Sequence, residues 1–135
     1  MWPSSYFTTP FKPHGRSRAG CDCWGLVKLI YAEQRGINLP DFAEISPEDE
    51  AAIPAAIDSQ RAAWTAVDFE QRQEFDLVVM KARIVRDGRA MSPNMHIGIV
   101  TPDLKILHTE WPHGVACLAP DHPALAGRIS GVFRK

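Results

Sequence analysis

Two cysteines stand one residue apart in "GCDCWG", Cys21 and Cys23, directly ahead of an apolar run with helical spacing. Thiols placed like this could form half of a disulfide, ligate a metal, fill a core, or supply a nucleophile. A Cys-x-Cys pair makes a poor intramolecular disulfide, and the third cysteine, Cys117, makes the count odd, so all three are read as reduced. Cys23 opens the helix. There the dipole and the unpaired N–H groups favour the thiolate, the reactive form, and could also hold a developing oxyanion. The plain alternative is an inert cysteine packed at a helix start.

A cysteine nucleophile needs a base, and there are five histidines. His14, His113 and His122 lie beside glycine or proline in loop-like stretches and read as surface residues. His96 in "MHIGIV" and His108 in "KILHTE" fall in two strand-like runs joined by "TPDL", a natural hairpin. A register that sets His96 directly opposite His108 puts Ile97 across from Leu107 and Gly98 across from Ile106. Opposed side chains in a ladder have Cβ atoms about 4.5–5.5 Å apart, close enough for two imidazoles to hydrogen-bond. His96 would then take the Cys23 proton and His108 would orient the His96 ring. Gly98, on the same side, would leave room for a substrate or for the helix end. The rival is a zinc site of Cys21, Cys23, His96 and His108. Structural zinc more often uses Cys-x2–4-Cys spacing, which counts against it.

These side chains must be held by local structure. Leu26, Val27, Ile30 and Tyr31 recur at helical spacing, which predicts a helix over 23–35 with Asp22 as N-cap and Gly36 at the C-terminal cap. Gly25, in the first turn, costs a helix about 1 kcal/mol against alanine and so implies a close approach by another backbone or a ligand. Ahead of the helix, residues 1–20 read as an extended, turn-rich lead-in. Behind it, 46–64 read as one or two short surface helices, with Ser46 able to cap and Pro54 expected to interrupt. From residue 75 the pattern changes to short apolar runs: "FDLVVM", "MHIGIV", "KILHTE", "GVACLA" and "RISGVFRK", with an Asp87-Gly88 turn signal between the first two. Helices first and then about five strands predict an α+β domain with a largely antiparallel sheet.

The chain has 135 residues, enough for one domain with its own core, spanning 1–135. Apolar residues make up 45% and charged residues 23%, as in ordinary globular proteins. A net charge of −1 provides no field to attract nucleic acid or an anionic membrane. No apolar stretch reaches the roughly 18 residues of a membrane span, and the N-terminus lacks the pattern of a secretory signal. Synthesis in the cytosol is therefore expected.

"GCDCWGLV" resembles the Asp-Cys-(Ser/Trp)-Gly-Leu-Val signature of NlpC-type cysteine peptidases. "MHIGIV" is similar to their histidine motif, "KILHTEWPHGV" to the strand that carries their third polar residue, and "FDLVVM" to their "GDLVFF" strand. All four occur in family order, from about residue 11 to the C-terminus. Trp24, in place of the commoner serine, resembles the phage tail-tip and tail-assembly branch. The resemblance implies a papain-like core with N-terminal helices packed on the sheet. It also implies Cys23 as nucleophile, His96 as base and His108 as third residue, with no cofactor. The implied substrate is peptidoglycan stem peptide cut after a γ-linked D-glutamate, and the implied partners are tail-tip proteins, with action in the periplasm or cell wall from a virion tail. Many members carry a tyrosine upstream whose hydroxyl faces the cysteine; the matching stretch "FKPHG" has Phe11 and His14. Tyr6 or His14 could take over that function. Asp22, Trp24, Phe11 and His14 are the candidate substrate-binding residues, Asp22 serving also as helix cap. Cys21 and Cys117 are assigned to packing.

Overall fold

The computed structural model describes residues 2–39, 64–81, 84–86, 89–91 and 94–135. The helices expected over 46–64, all but Trp64, and the Asp87-Gly88 turn lie outside the described residues. After a 3-10 turn at Trp2–Tyr6, a small hairpin pairs β1 (Arg16–Ser17) with β2 (Gly20–Cys21). The helix α1 follows at Cys23–Arg35. Then come β3 (Thr65–Val67), β4 (Leu77–Lys81), β5 (Ile84–Arg86), β6 (Arg89–Met91), β7 (Asn94–Val100), β8 (Ile106–Glu110), β9 (Gly114–Leu118) and β10 (Ile129–Arg134).

The helix has the predicted ends. Asp22 is extended and its carboxylate accepts from the Gly25 N–H, while Gly36 is left-handed at φ 65 and its N–H reaches the Ala32 carbonyl. The apolar stripe of Leu26, Val27, Ile30 and Tyr31 is buried, as its spacing requires.

Six strands form one antiparallel sheet in the order β3-β10-β4-β7-β8-β9, and β5 and β6 pair separately. Five strands were anticipated for the sheet region. The extra edge strand β3 is three residues long and too short to show a period of its own. The C-terminal strand β10 pairs with both β3 and β4, which no local pattern announces. Arg134 on β10 holds the buried Asp76 in a fork of two 2.8 Å hydrogen bonds at the start of β4. On one side of the sheet, Leu77, Ile97, Ile99 and Leu107 pack with the α1 stripe, Tyr6 and Cys21. Val78, Met80, Val100, Ile106, Leu125 and Val132 form a second cluster. Strands β4 and β7 are thus covered on both faces, which is why they read as apolar runs without alternation.

The β7–β8 register differs from the expected one. The pairs are Ile99↔Leu107 and Val100↔Ile106, which displaces the pairing by two residues from a direct His96–His108 opposition. The turn sets this. Thr101 N–H bonds to the Lys105 carbonyl and Leu104 N–H to the Thr101 carbonyl, with Leu104 left-handed at φ 64, so the loop is Pro102–Leu104. The Thr101 hydroxyl reinforces it, donating to Asp103 Oδ1 at 2.6 Å and accepting from Lys105 N–H at 3.1 Å. A displacement of two keeps both histidines on a common face, whereas one residue would have separated them.

Candidate active site

Cys23 is the first residue of α1 and is half-buried. Its thiol receives the backbone N–H groups of Trp24 and of Ile97, the residue that follows His96. The helix start is thereby docked beside β7 at the base candidate. Three groups fix that start. Asp22 Oδ1 takes the Gly25 N–H and Arg16 Nη1, both at 2.8 Å, and Oδ2 takes the His14 N–H at 3.1 Å. Gly25 is needed because a Cβ there would lie 2.0 Å from the Gly15 carbonyl oxygen; a backbone, not a ligand, makes the close approach inferred from its position.

The two histidine rings meet. His96 Nε2 and His108 Nδ1 are 2.8 Å apart, with the ring planes at 79°. Both residues are buried, at 5% and 4% exposure. They meet without being paired partners, and Gly98 makes the tight sheet possible: a Cβ on it would come within 2.9 Å of Ile106, 3.0 Å of the Leu107 carbonyl and 3.1 Å of Met80. Gly98 therefore makes room for neighbouring sheet atoms rather than for substrate. Beyond His108, Glu110 Oε1 lies 3.7 Å from His108 Nδ1. Arg128 grips both Glu110 oxygens, Nη1 to Oε1 at 2.9 Å and Nη2 to Oε2 at 2.7 Å.

Burial dominates the electrostatics. It pushes the Cys23 thiol up to about 12, with Asp22 adding to the rise and the two N–H groups only partly opposing it. It also pushes His96 down to about 3, against the pull of Glu110. The thiolate expected from the helix dipole is thus not the resting form; desolvation of the sulfur outweighs the dipole. His108 is lowered as well, again chiefly by burial. Burial would raise Glu110, but the Arg128 hydrogen bonds and the charges of His96, Arg128 and His108 bring it to about 2.

A model of the family described as "NlpC/P60 family" matches residues 8–134. The chain belongs to the NlpC/P60 family. Members of this family are cysteine peptidases that act as peptidoglycan hydrolases. The fold is similar to the crystal structure of the NlpC/p60 domain of the peptidoglycan hydrolase SagA, with a TM-score of 0.64 at 18% identity over 98% of this chain and 92% of that one. It is also similar to a lipoprotein-like NLP/P60 protein from Staphylococcus aureus subsp. aureus Mu50 (0.62, 21%, 98% and 38%). A third is an NlpC/P60 protein from Bacillus cereus ATCC 10987 (0.56, 24%, 90% and 33%). This chain spans well under half the length of the last two. No curated protein matches it.

Within the NlpC/P60 frame, the remaining candidates separate. Asp22 is 4% exposed, and both its oxygens are engaged internally, so it acts as a brace for α1 rather than an open substrate ligand. Trp24 is half-buried against the first cluster. Phe11 bridges to Cys21 and meets Trp111 edge-on at 6.3 Å. His14 is exposed and left-handed at φ 60. Tyr6 cannot replace the missing tyrosine. Its hydroxyl donates to Glu33 at 2.7 Å, ten residues along α1 from Cys23 and so about 15 Å away along the axis. Cys21 is fully buried, as expected for packing, and Cys117 is half-buried on β9 against the first cluster. It is His96, His108 and Glu110 that form a ligand-like group among the described residues, not the four residues of the zinc alternative. Phe75 stands where the family strand has glycine and is left-handed at φ 73; stacking on Trp2 at 5.3 Å holds it there.

Glu110 and Arg128 were not anticipated. Glu110 could have been, since it lies two residues from His108 on one strand and so shares its face. Arg128 had no such signal, for it arrives from just ahead of β10.

Two measurements follow from the burial of these titratable groups. Alkylation of Cys23 by iodoacetamide, followed by peptide mass mapping, is expected to accelerate about tenfold per pH unit from pH 6 to 9 without levelling; a plateau starting below pH 7 would show a pre-formed thiolate–imidazolium pair. For His96, the unfolded chain binds a proton below about pH 6.5 that the folded protein refuses down to about 3. Its contribution to stability is therefore complete above pH 6.5 and is lost as the pH falls toward 3, by up to about 1.4 kcal/mol per unit. Melting curves between pH 7 and 4.5 should fall more steeply for wild type than for His96→Gln. Parallel curves would refute the assignment.

Proposed function

We propose that this protein is a cysteine endopeptidase that hydrolyses amide bonds in peptidoglycan stem peptides, with cleavage after γ-linked D-glutamate and service in a phage tail tip. The observation that carries the reading is the meeting of three elements: the Cys23 thiol at the start of α1, the Ile97 N–H beside it, and the His96–His108 contact of 2.8 Å. With His96 Nε2 engaged by His108, its Nδ1 is the nitrogen left for the thiol proton. The proton passes from Cys23 to His96 as sulfur bonds to the carbonyl carbon, because the resting pair is neutral. The N-terminal end of α1 holds the oxyanion. His96 returns the proton to the leaving amine, and the C–N bond breaks to give a thioester. Water, deprotonated by His96, then releases the acid and restores the thiol. The tail-tip assignment rests on Trp24 in the cysteine motif.

The experiment is digestion of purified muropeptides with product masses read by mass spectrometry. New fragments that part between D-glutamate and the third residue are expected. A folded protein that produces no fragments would overturn the peptidase reading. It would favour the second one, a tail-tip plug or assembly module on the same fold, to which the missing hydroxyl at Phe11 and the neutral Cys23 and His96 lend weight.

A further inference from the structure

We propose that Glu110 and Arg128 form a latch that decides which nitrogen of the His96–His108 pair carries the shared proton. Its effect on rate rests on the peptidase reading above; its effect on the histidines does not.

One proton occupies the 2.8 Å line between His96 Nε2 and His108 Nδ1. If it sits on His96, then His96 Nδ1 is bare and can take the thiol proton. If it sits on His108, neutral His96 must carry its own proton on Nδ1 and cannot act as a base. One local feature favours this second, unproductive arrangement. The Glu110 carboxylate, 3.7 Å from His108 Nδ1, attracts a proton there. Among the described residues His108 Nε2 has no partner in either arrangement, as an N–H in the productive one and as a bare nitrogen in the other, so it does not choose between them.

Arg128 opposes the pull of that carboxylate. Its fork at 2.9 and 2.7 Å uses both Glu110 oxygens, so a proton on His108 Nδ1 faces an ion pair instead of a bare carboxylate. Arg128 is 5% exposed and cannot swing away: Nε donates to the Lys81 carbonyl at 2.8 Å and Nη1 to the Ala124 carbonyl at 3.0 Å. Among the described residues, the charged groups that act on the pair are Glu110 from β8 and Arg128 from the approach to β10; Glu110 also acts on Cys23 of α1. Asp22 acts on Cys23 but not on the pair. Both members of the latch are positioning residues.

The test uses the full chain labelled with 15N-histidine. Long-range proton–nitrogen spectra at pH 7.5 should show a bare His108 Nδ1 in wild type, a protonated one in Arg128→Gln, and a bare one again in the Arg128→Gln/Glu110→Gln double variant. On muropeptides, Arg128→Gln should lose more than tenfold in kcat with KM unchanged, and the double variant should recover most of it. Wild-type nitrogen shifts in Arg128→Gln, or no reversal in the double variant, would overturn the latch. If Arg128→Gln does not fold, Glu110→Gln carries the test. Without the carboxylate, protonation of the pair should move to lower pH with His108 Nδ1 still bare, and an unmoved midpoint would overturn the proposal. If wild type cleaves nothing, the nitrogen shifts still decide the latch, and only the peptidase reading fails.

Discussion

Cys23→Ala is expected to abolish muropeptide cleavage, a loss on the order of 10^4-fold or more, while changing stability by about 1 kcal/mol or less. The first number follows from chemistry: sulfur forms the only covalent bond to substrate in the proposed path, and no neighbour can replace it. Cys21 is fully buried and Cys117 lies on β9, remote in sequence and in a different element, so neither is placed to take over. The second follows from packing. Cys23 is half-buried at a helix start, and alanine keeps the Cβ, the backbone N–H and the Asp22 cap. The paired readout is initial cleavage rate and thermal melting on the same preparation. Residual cleavage above about 1% of wild type, with the melting curve unchanged, would remove Cys23 from the mechanism.

Gly25→Ala is expected to destabilise the fold by about 3 kcal/mol, roughly a 10 °C drop in Tm. The usual sign is opposite, since alanine in place of glycine favours a helix by about 1 kcal/mol. At Gly25 the new methyl would lie 2.0 Å from the Gly15 carbonyl oxygen, 3.1 Å from Cys21 Cβ and 3.2 Å from Arg16 Nη1. The first neighbour is backbone and cannot rotate aside, so the β1–β2 hairpin or α1 must shift. Either movement strains the Asp22 contacts to Gly25, Arg16 and His14, and with them the place of Cys23. Activity should therefore fall together with stability. A Tm equal to or above wild type would show that the hairpin yields freely and that the contact does not govern the site.

The local features of α1 were legible because they are short-range. An Asp that caps three residues ahead, a stripe at helical spacing and a left-handed Gly36 are each decided within a few positions, and all three occur as expected. The motif order around Cys23, His96 and His108 carried the family for the same reason: each motif is a few contiguous residues. The ladder register was not legible, because it depends on whether Leu104 adopts a left-handed conformation in the β7–β8 turn. The chance that saved the histidine contact is the two-residue period of a strand, which keeps His96 and His108 on a common face under a displacement of two.

The sequence by itself determined the helix, its caps, the apolar strands and the identity of the groups that could do chemistry. Only the tertiary structure decided their state. The Cys23 thiol and the His96 ring are neutral because atoms from α1, β7 and β8 together exclude water from them, and no segment alone carries that desolvation. The Glu110–Arg128 pair likewise joins residues 18 apart in sequence across the turn region that precedes β10. Such a contact exists only once the strands are ordered, since the free energy that holds an ion pair beside two buried imidazoles depends on burial and distance, which the linear chain does not contain.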